Sequence, residues 1–331
     1  MDASRLGLSL PNRGVLFGAI TVPQILALSE AADRAGCFNS VWVGDSILTK
    51  PRLEALMLLA TIAGRTGRVR LGPACLASFP LRNPVILAYQ WASLDVISNG
   101  RAVMVACIGA THTAGARFAK EYATLGVDPR QRVRRLEEGI EAMRLLWSQE
   151  NASYHGRFVN FDEVTLEPRP VQRPAPPIWI ASNPRRVKAG PEVIHRMFDR
   201  VGRLADGWMT AAVTPREFAE DWAQVQAAAR RHGRDPAAME SAIHHMVNIG
   251  DDAEAAYQEG KRFLDTYYTT DYAREFLEGF LAYGPPERVA EKLTAFLRAG
   301  IGTVIVRLAS WDPTAQMTRL LDEVVPRVEA G

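Results

Sequence analysis

The sequence predicts an α/β barrel of eight strand–helix units, and three observations support this prediction. Short apolar runs alternate with amphipathic helical stretches along most of the chain. Several runs, such as residues 41–43 and 304–306, are continuously apolar, which is typical of parallel strands covered by helices. The first run leads into "LPNRGVLFG" and not into the G-x-G-x-x-G turn of an open dinucleotide-binding sheet. Eight such units close a barrel.

The first four units carry clear helix-start signals. Thr21 and Gln24 form a predicted capping box before the first helix, and Asn83 followed by Pro84 begins the third. The second helix is predicted over residues 52–66. The fourth helix has apolar residues at steps of three and four, namely Val133, Leu136, Ile140, Met143 and Trp147.

The last four units repeat the pattern. The fifth strand is "PIWIAS", with a helix predicted over residues 186–202, and the sixth is "DGWMT". Thr214 and Glu217 form a second capping box after the sixth strand. The seventh and eighth strands are "SAIHHMVNIG" and "GTVIVRLAS", each followed by helical sequence.

Three segments exceed the bare repeat and are predicted to be insertions. Residues 110–129 follow the fourth strand, and residues 152–177 follow the fourth helix as a hairpin and a proline-rich stretch. Residues 263–284, after the seventh helix, are rich in aromatic side chains and are expected to form a substrate wall or lid. Residues 1–331 are expected to form a single barrel domain.

Composition narrows the classes of function. The 331 residues are 47% hydrophobic and carry a net charge of +2, which argues against a nucleic-acid partner. No window approaches ~18 uninterrupted apolar residues, and the N-terminus lacks the pattern of a secretory signal, so a cytoplasmic protein with no membrane contact is expected. Cys37, Cys75 and Cys107 fit neither a disulfide framework nor a zinc cluster.

Ligand sites in such barrels form at the carboxyl ends of the strands. The residues predicted at these ends are Asn12, Asp45, Ser46, Ala74, Cys75, Cys107, Gly109, Ser182, Asn183, Thr210, His245 and Arg307. The set is poor in metal ligands, and the chain has no G-x-S-x-G elbow. No metal site is therefore expected, and a hydrolase is a distant alternative.

Some of these side chains indicate chemistry by themselves. Ser182 and Asn183 precede a predicted helix start, where backbone N–H groups favour a phosphate. His245 is expected to face the barrel interior, where it would donate a proton or fill space. Arg307 would pair with a cofactor phosphate or with a carboxylate. Asp45 would accept hydrogen bonds from a cofactor or a neighbouring loop, or cap the loop that follows it.

Five stretches, in this order and over nearly the whole chain, resemble the bacterial luciferase-like superfamily. They are "SVWVGDS", "RLEALMLLATIAGRTGRVRLGPACLASFPLRNP", "YHGRFVNF", "PRPVQRPAPPIWIAS" and "ADGW". These proteins are flavin-dependent monooxygenases and coenzyme F420-dependent oxidoreductases. The resemblance implies a homodimeric barrel that binds FMN or F420 across the strand ends. It also implies a non-prolyl cis peptide at Ala74 and Cys75, and cofactor contacts from Asn12, Cys107, Gly109, Ser182, Asn183 and Thr210.

Two departures from the family pattern bear on mechanism. Ser46 stands where several relatives carry a catalytic histidine, and Ala110 aligns with an acidic residue of one F420 branch. The resemblance implies a monooxygenase that uses reduced FMN, with a separate flavin reductase as partner and Asp45, Ser46 and His245 as catalytic candidates. The aromatic residues 263–284 indicate a small, partly apolar substrate. The alternatives are an F420-dependent oxidoreductase and, from another class, a non-catalytic flavin-binding protein.

Overall fold

The computed structural model describes residues 5–110 and 115–328. The strands within these residues are β1 (Leu6–Leu10), β2 (Phe38–Val43), β3 (Arg70–Pro73), β4 (Met104–Ala106), β5 (Ala152–His155), β6 (Asn160–Val164), β7 (Ile178–Ala181), β8 (Gly207–Ala211), β9 (Glu240–Ile249), β10 (Leu281–Gly284) and β11 (Thr303–Leu308). The helices are α1 (Val22–Ala35), α2 (Ala55–Ala63), α3 (Pro84–Ile97), α4 (Ala116–Thr124), α5 (Arg132–Ser148), α6 (Pro191–Leu204), α7 (Pro215–Arg231), α8 (Ala253–Tyr268), α9 (Arg274–Phe280), α10 (Pro286–Arg298) and α11 (Pro313–Arg319). Within the described ranges, no helix is both long and apolar enough to cross a bilayer.

Eight of these strands form a parallel barrel in the order β3-β2-β1-β11-β9-β8-β7-β4. The barrel closes between β3 and β4 through the bridges Leu71–Ala102 and Leu76–Ala106. β10 extends the sheet by pairing in parallel with residues 246–249 of β9. The predicted eight-unit α/β barrel is therefore confirmed.

Local sequence signals explain where several helices begin. The Thr21 hydroxyl accepts from the backbone N–H of Gln24, whose side chain accepts from Thr21 N–H, so the predicted capping box is present. Thr214 and Glu217 form the same motif at α7. Asn83 caps α3 by accepting from two backbone N–H groups, as predicted.

Two helices begin later than predicted, for identifiable reasons. The Glu54 side chain accepts from Met57 N–H, and this cap starts α2 at Ala55 and not at Arg52. A short 3-10 turn, Pro184–Arg186, follows β7, and α6 begins only at Pro191. Proline favours the first helical turn and disfavours a helical residue before it, so α6 starts there.

The barrel interior is filled by alternate residues of the strands. Trp42, Trp179, Met209, Ala242 and Ile305 belong to one inner apolar cluster, together with Val103 and Val105. The rings of Trp42 and Trp179 are tilted by 35° to each other, with their centroids 5.6 Å apart. Because side chains alternate along a strand, these residues show which positions of each strand point inward.

The predicted insertions occupy the expected places. β5 and β6 form the antiparallel hairpin after α5, and α4 follows β4. Part of the first insertion, residues 111–114, lies outside the described residues. The third insertion supplies the end of α8, α9 and β10 beside the carboxyl end of β9. Its aromatic side chains, which we call the aromatic cap, are Tyr267, Tyr268, Tyr272, Phe276 and Phe280.

Candidate active site at the barrel mouth

Small side chains line the barrel mouth where β3 and β4 end. Ala74 and Cys75 are partly buried against the inner apolar cluster, and the peptide bond between them is cis, as the resemblance implies. The neighbouring thiol of Cys107, together with burial, raises the pKa of the Cys75 thiol. Gly109 has φ 65°, and a Cβ there would lie 2.8 Å from the carbonyl oxygen of Ala77. The end of β4 therefore needs glycine to approach the loop after β3.

Asp45 holds the segment after β3 against the end of β2. Its Oδ2 accepts a 2.8 Å hydrogen bond from the backbone N–H of Ser78, and Nη2 of Arg82 lies 3.3 Å from Oδ1. The Asp45 side chain is only 3% exposed. Of the roles predicted for Asp45, these contacts match hydrogen bonding to a neighbouring loop and not capping of the loop that follows it.

Ser46 lines a narrow cavity of about 30 Å³ together with Ser78, Gly109 and Tyr122. The Ser46 hydroxyl accepts a 3.0 Å hydrogen bond from Lys50 N–H. Glu121, which sequence reasoning missed, also lines this cavity. A cavity of this size has room for about one or two waters and not for a large ligand.

Glu121 organises the loop that follows β2. Its carboxylate accepts hydrogen bonds from the backbone N–H groups of Ile47 and Leu48, at 3.1 and 2.9 Å, and from the Thr49 hydroxyl. Glu121 is 6% exposed, so three donors satisfy a buried charge. The carboxylate thereby positions the segment that carries Ser46 and Lys50.

Asn12 links the ends of β1 and β2. Its side-chain amide donates to the carbonyls of Gly44 and Leu53, at 2.9 and 3.2 Å, and accepts from Gly44 N–H at 3.0 Å. The hydroxyl of Tyr267 donates to the same Asn12 oxygen at 3.4 Å. Asn12 therefore lies at the mouth, as predicted, and it anchors the aromatic cap.

Asn183 and Thr210 come together across β7 and β8. The Thr210 hydroxyl and Ala211 N–H both donate to Oδ1 of Asn183 at 2.9 Å. Ser182 keeps a buried hydroxyl with no hydrogen-bond partner in the described part of the chain. The structure thus brings three predicted phosphate contacts to one edge of the mouth.

The predicted inward orientation of His245 is wrong. His245 lies on the outer side of β9, where its ring centroid is 5.1 Å from that of Phe296 on α10. Its neighbour His244 points inward, and His244 Nε2 is 3.1 Å from the hydroxyl of Ser9. Side chains along β9 therefore alternate one residue out of phase with the prediction.

Both histidines are held in the neutral form. Burial lowers the pKa of His244 well below its usual range, and Arg307, His245 and Arg52 lower it further. Burial and Lys292 likewise lower the pKa of His245 well below its usual range. Neither ring nitrogen of His245 has a hydrogen-bond partner among the described residues.

Arg307 is buried near the carboxyl end of β11 and is 1% exposed. Its guanidinium donates to the hydroxyls of Tyr268 and Ser9 at 2.8 and 2.7 Å. Its Cζ lies 4.6 Å from the ring centroid of Tyr267. Hydroxyls and an aromatic ring surround Arg307, in place of the carboxylate that sequence reasoning offered as one partner.

Three further cations lie near Arg307, and sequence reasoning missed them. They are Arg13, Lys50 and Arg52; with Arg307 we call them the basic cluster. Lys50 Nζ lies 5.1 Å from the ring centroid of Tyr268, and Arg52 Cζ lies 5.7 Å from that of Tyr267. The available signal was "LTKPRLE", two cations directly after the second strand.

The fold and this mouth define a class of α/β barrel proteins with a ligand site at the carboxyl ends of parallel strands. The family model for "Luciferase-like monooxygenase" matches residues 5–303. The chain belongs to this family. The resemblance stated from the sequence is therefore confirmed.

Relatives and solved structures show the breadth of the family. The chain is 33% identical over 165 residues to the oxygenase component of a flavin-dependent trigonelline monooxygenase from Acinetobacter baylyi, covering 48% of this chain and 42% of that protein. It is 29% identical over 240 residues to an F420-dependent hydroxymycolic acid dehydrogenase from Mycobacterium tuberculosis, covering 70% of this chain and 61% of that protein. The chain thus spans about half the length of the curated relatives it matches.

The fold matches the crystal structure of the monooxygenase RslO1 from Streptomyces bottropensis. The TM-score is 0.79 at 21% identity, with 98% of this chain and all of that chain covered. This likeness supports the barrel fold alone, because sequence identity at that level does not fix function.

Proposed function

We propose that the protein is a flavin-dependent oxidoreductase that acts as a monooxygenase with reduced FMN on a small, partly apolar organic substrate. The observation that carries the proposal is family membership over residues 5–303, joined to a barrel mouth built from small side chains. Ala74, Cys75 and Ala181 border this mouth above the inner aromatic residues. Such side chains leave space for a flat ring system.

The residues at the mouth fit a phosphorylated flavin. Asn183 and Thr210, already joined by a hydrogen bond, offer polar groups for the phosphate, and the buried Ser182 hydroxyl lies beside them in the chain. Ala74, Cys75, Cys107 and Gly109 would border the ring at the opposite edge. When bound, the flavin supplies the oxygen chemistry.

The protein's own contribution is positioning and exclusion of water. Asp45 and Glu121 fix the loops around the mouth through their backbone partners. The aromatic cap covers the mouth beside β9, where it would exclude water from the reacting groups. The inward-facing His244 takes the place proposed earlier for His245, since it is the histidine that reaches the interior.

An F420-dependent oxidoreductase is the second candidate, because one relative carries that name. Hydride transfer to or from an alcohol or carbonyl needs a proton donor or acceptor beside the substrate. Ser46 and Ala110 line the cavity at the positions where family members use a histidine and an acid. Neither side chain titrates in the useful range, which favours the FMN reaction.

We also propose that the chain acts as a homodimer and receives reduced flavin from a separate reductase. Support for the dimer comes from an exposed apolar face on α2 and α3. Met57 is 65% exposed, Ile86 57%, Tyr89 50% and Ile97 55%. An apolar face of this kind usually marks an interaction surface.

The test is titration of the full chain with FMN and with F420, monitored by fluorescence of Trp42 and Trp179 in the barrel interior. Binding of either below about 100 μM, equivalent to about −5.5 kcal/mol, supports the proposal, and binding of neither overturns it. Thr210→Val should weaken FMN binding about tenfold, because a hydroxyl at the phosphate is lost. Thr318→Val, on the exposed face of α11, is the matched control.

Turnover separates the remaining alternatives. The monooxygenase predicts that reduced FMN and a substrate cause oxygen consumption coupled to product. F420 oxidation or reduction with an alcohol or ketone would favour the second candidate. A bound flavin that stays inert with every reductant and substrate would indicate a non-catalytic flavin-binding protein.

A further inference from the structure

The cofactor binding proposed above does not use the basic cluster at the barrel mouth, although the sequence predicted a cofactor phosphate as one partner of Arg307. We propose that it binds the anionic group of the substrate, a carboxylate, sulfonate or phosphate carried on an apolar or aromatic body. The inference rests on the proposed function, because it assumes that cofactor and substrate share the mouth.

The four cations are not neutralised by neighbouring acids. Within residues 5–110 and 115–328, the hydrogen bonds of these side chains go to carbonyl and hydroxyl oxygens. Arg13 donates to the carbonyls of Tyr267 and Pro51, at 2.6 and 2.8 Å. Arg52 donates to the carbonyl of Lys50 at 3.0 Å. Arg307 donates to the two hydroxyls already described.

Two carboxylates on loops at the mouth, Asp45 and Glu121, are already engaged elsewhere. Asp45 accepts from Ser78 N–H and faces Arg82, and Glu121 accepts from the loop after β2. The positive charge of the cluster is therefore left for a ligand. A cleft lined by one sign of charge attracts ligands of the opposite sign.

The cations also repel one another. Burial, followed by the charges of Arg52 and Arg13, lowers the pKa of Lys50 to about 8. Burial and Arg52 also lower the pKa of Arg13. A bound anion would offset this repulsion and stabilise the charged form of Lys50.

The cluster contains a buried hydrogen-bond donor that no group among the described residues satisfies, which indicates a ligand. Nε of Arg307 is buried and has no hydrogen-bond partner in the described part of the chain. Lys50 Nζ contacts the face of the Tyr268 ring. Gly44 allows Arg52 to lie against the end of β2, since a Cβ there would clash with its guanidinium.

The surroundings define the rest of the substrate. Tyr267 and Tyr268 separate the cations from Tyr272 and Phe280, so an apolar surface begins next to the charged groups. In a substrate that carries an anion on an apolar body, the anion would pair with the cations and the apolar body would pack against the aromatic side chains. A neutral polyol would leave the charges unpaired.

The cluster lies away from the proposed cofactor phosphate. Arg13 follows β1 and Arg307 ends β11, whereas Asn183 and Thr210 end β7 and β8. In the closed strand order, β1 and β7 are separated by four steps and face each other across the barrel. β11 and β8 are only two steps apart, but Arg13, Lys50 and Arg52 follow β1 and β2, away from Asn183, so the cluster is assigned to the substrate.

The test is calorimetric titration of the full chain, free and saturated with whichever of FMN and F420 it binds. Sodium benzoate is the anionic probe, benzamide its neutral counterpart, and inorganic phosphate a tetrahedral anion. We expect one of the anions to bind in the presence of cofactor, and benzamide to bind at least about tenfold more weakly than benzoate. Lys50→Met and Arg52→Met should each lower anion affinity about tenfold.

The control is Arg230→Met, which removes an exposed arginine near the end of α7 and should leave anion binding unchanged. Lys50 and Arg52 are only partly buried, so their variants keep the test valid even if the buried Arg307→Met fails to fold. Equal anion affinity in Lys50→Met, Arg52→Met and the unmodified chain would overturn the inference. So would an anion that displaces the cofactor, or no binding of either anion. If neither cofactor binds, titration of the cofactor-free chain still tests the cluster separately.

Discussion

Nη1 of Arg307 donates a 2.8 Å hydrogen bond to the hydroxyl of Tyr268. This contact joins the carboxyl end of β11 to the last residue of α8, and thus the barrel mouth to the aromatic cap. Lys50 lies against the face of the same ring. Tyr268 therefore connects the charged and apolar parts of the mouth.

The pH dependence of anion binding should report on Lys50. The charged groups near Lys50 are Arg52 and Arg13, and the titratable ring beside it is that of Tyr268. Burial and the two arginines lower the pKa of Lys50 to about 8. Benzoate affinity should therefore fall as the pH rises above about 8, with the midpoint moved upward by the bound anion. Calorimetry from pH 6.5 to pH 10, roughly spanning the ordinary histidine and lysine ranges, measures this.

Two variants check that assignment. Lys50→Met should abolish the pH dependence, whereas Arg52→Met should weaken binding but retain the dependence, because Lys50 still titrates. A pH profile that is unchanged in Lys50→Met would show that another group controls binding.

Replacing His245 should flatten the acid side of the stability profile. Burial lowers the pKa of His245 in the folded protein below its unfolded value of about 6.5. The unfolded chain therefore binds more protons below that pH, and stability is lost as the pH falls, by up to about 1.4 kcal/mol per pH unit for one histidine. His245→Leu should remove this contribution, as measured by urea unfolding between about pH 4 and 8.

The same variant should be no less stable near pH 8, because leucine leaves no buried nitrogen without a partner. His195→Leu, at an exposed site on α6, is the control and should keep the slope of the unmodified protein. His244 contributes a slope of the same sign, so the contradicting result is a His245→Leu slope equal to that of the unmodified protein.

Asp45 should matter more for stability than Glu54, although both approach Arg82. The Asp45 side chain is 3% exposed and the Glu54 side chain 44%. Asp45→Asn weakens a buried acceptor for Ser78 N–H and Arg82, which should cost about 1–3 kcal/mol. Glu54→Gln should cost about 0–1 kcal/mol, as for an exposed ion pair. Urea unfolding at neutral pH compares the two, and equal losses would contradict the contacts described.

Charge placed on the apolar face of α3 should separate a dimer. Ile86→Glu with Tyr89→Glu puts two carboxylates where both native side chains are at least half exposed, so light scattering should show a monomer. Val171→Glu, at a residue that is 47% exposed and outside α2 and α3, should leave the mass unchanged. A monomeric unmodified protein, or a dimer that survives both changes, would refute the proposed face.

The sequence predicted the elements whose causes are local. Thr21, Asn83 and Thr214 cap helices by accepting hydrogen bonds from backbone N–H groups no more than three residues further along the chain. The local sequence alone therefore predicts where those helices begin. The strand ends at Asp45 and Asn183 were also predicted, since apolar runs stop there. The start of α6 was predicted too early, at Arg186, although Pro191 provides a local signal for the start at that residue.

In the candidate site, too, some features follow from the local sequence and others only from the tertiary structure. That Asp45, Ser46, Cys107 and Asn183 lie at one face follows from the strand–helix repeat. Their partners do not, because Arg82 and Thr210 lie 37 and 27 residues away. Sequence reasoning overlooked Glu121 and Lys50, which lie outside any recognised motif and act through loops.

By itself, the sequence determined the class of fold, the family and the order of the elements, because hydrophobic periodicity and helix caps act over a few residues. Only the tertiary structure decided which of His244 and His245 faces inward, since one step of register along β9 exchanges them and the closure of the barrel sets that register. It alone also brought Arg13, Lys50, Arg52 and Arg307 together. These residues are distant in the chain, and only the packing of loops at the mouth makes them one charged surface.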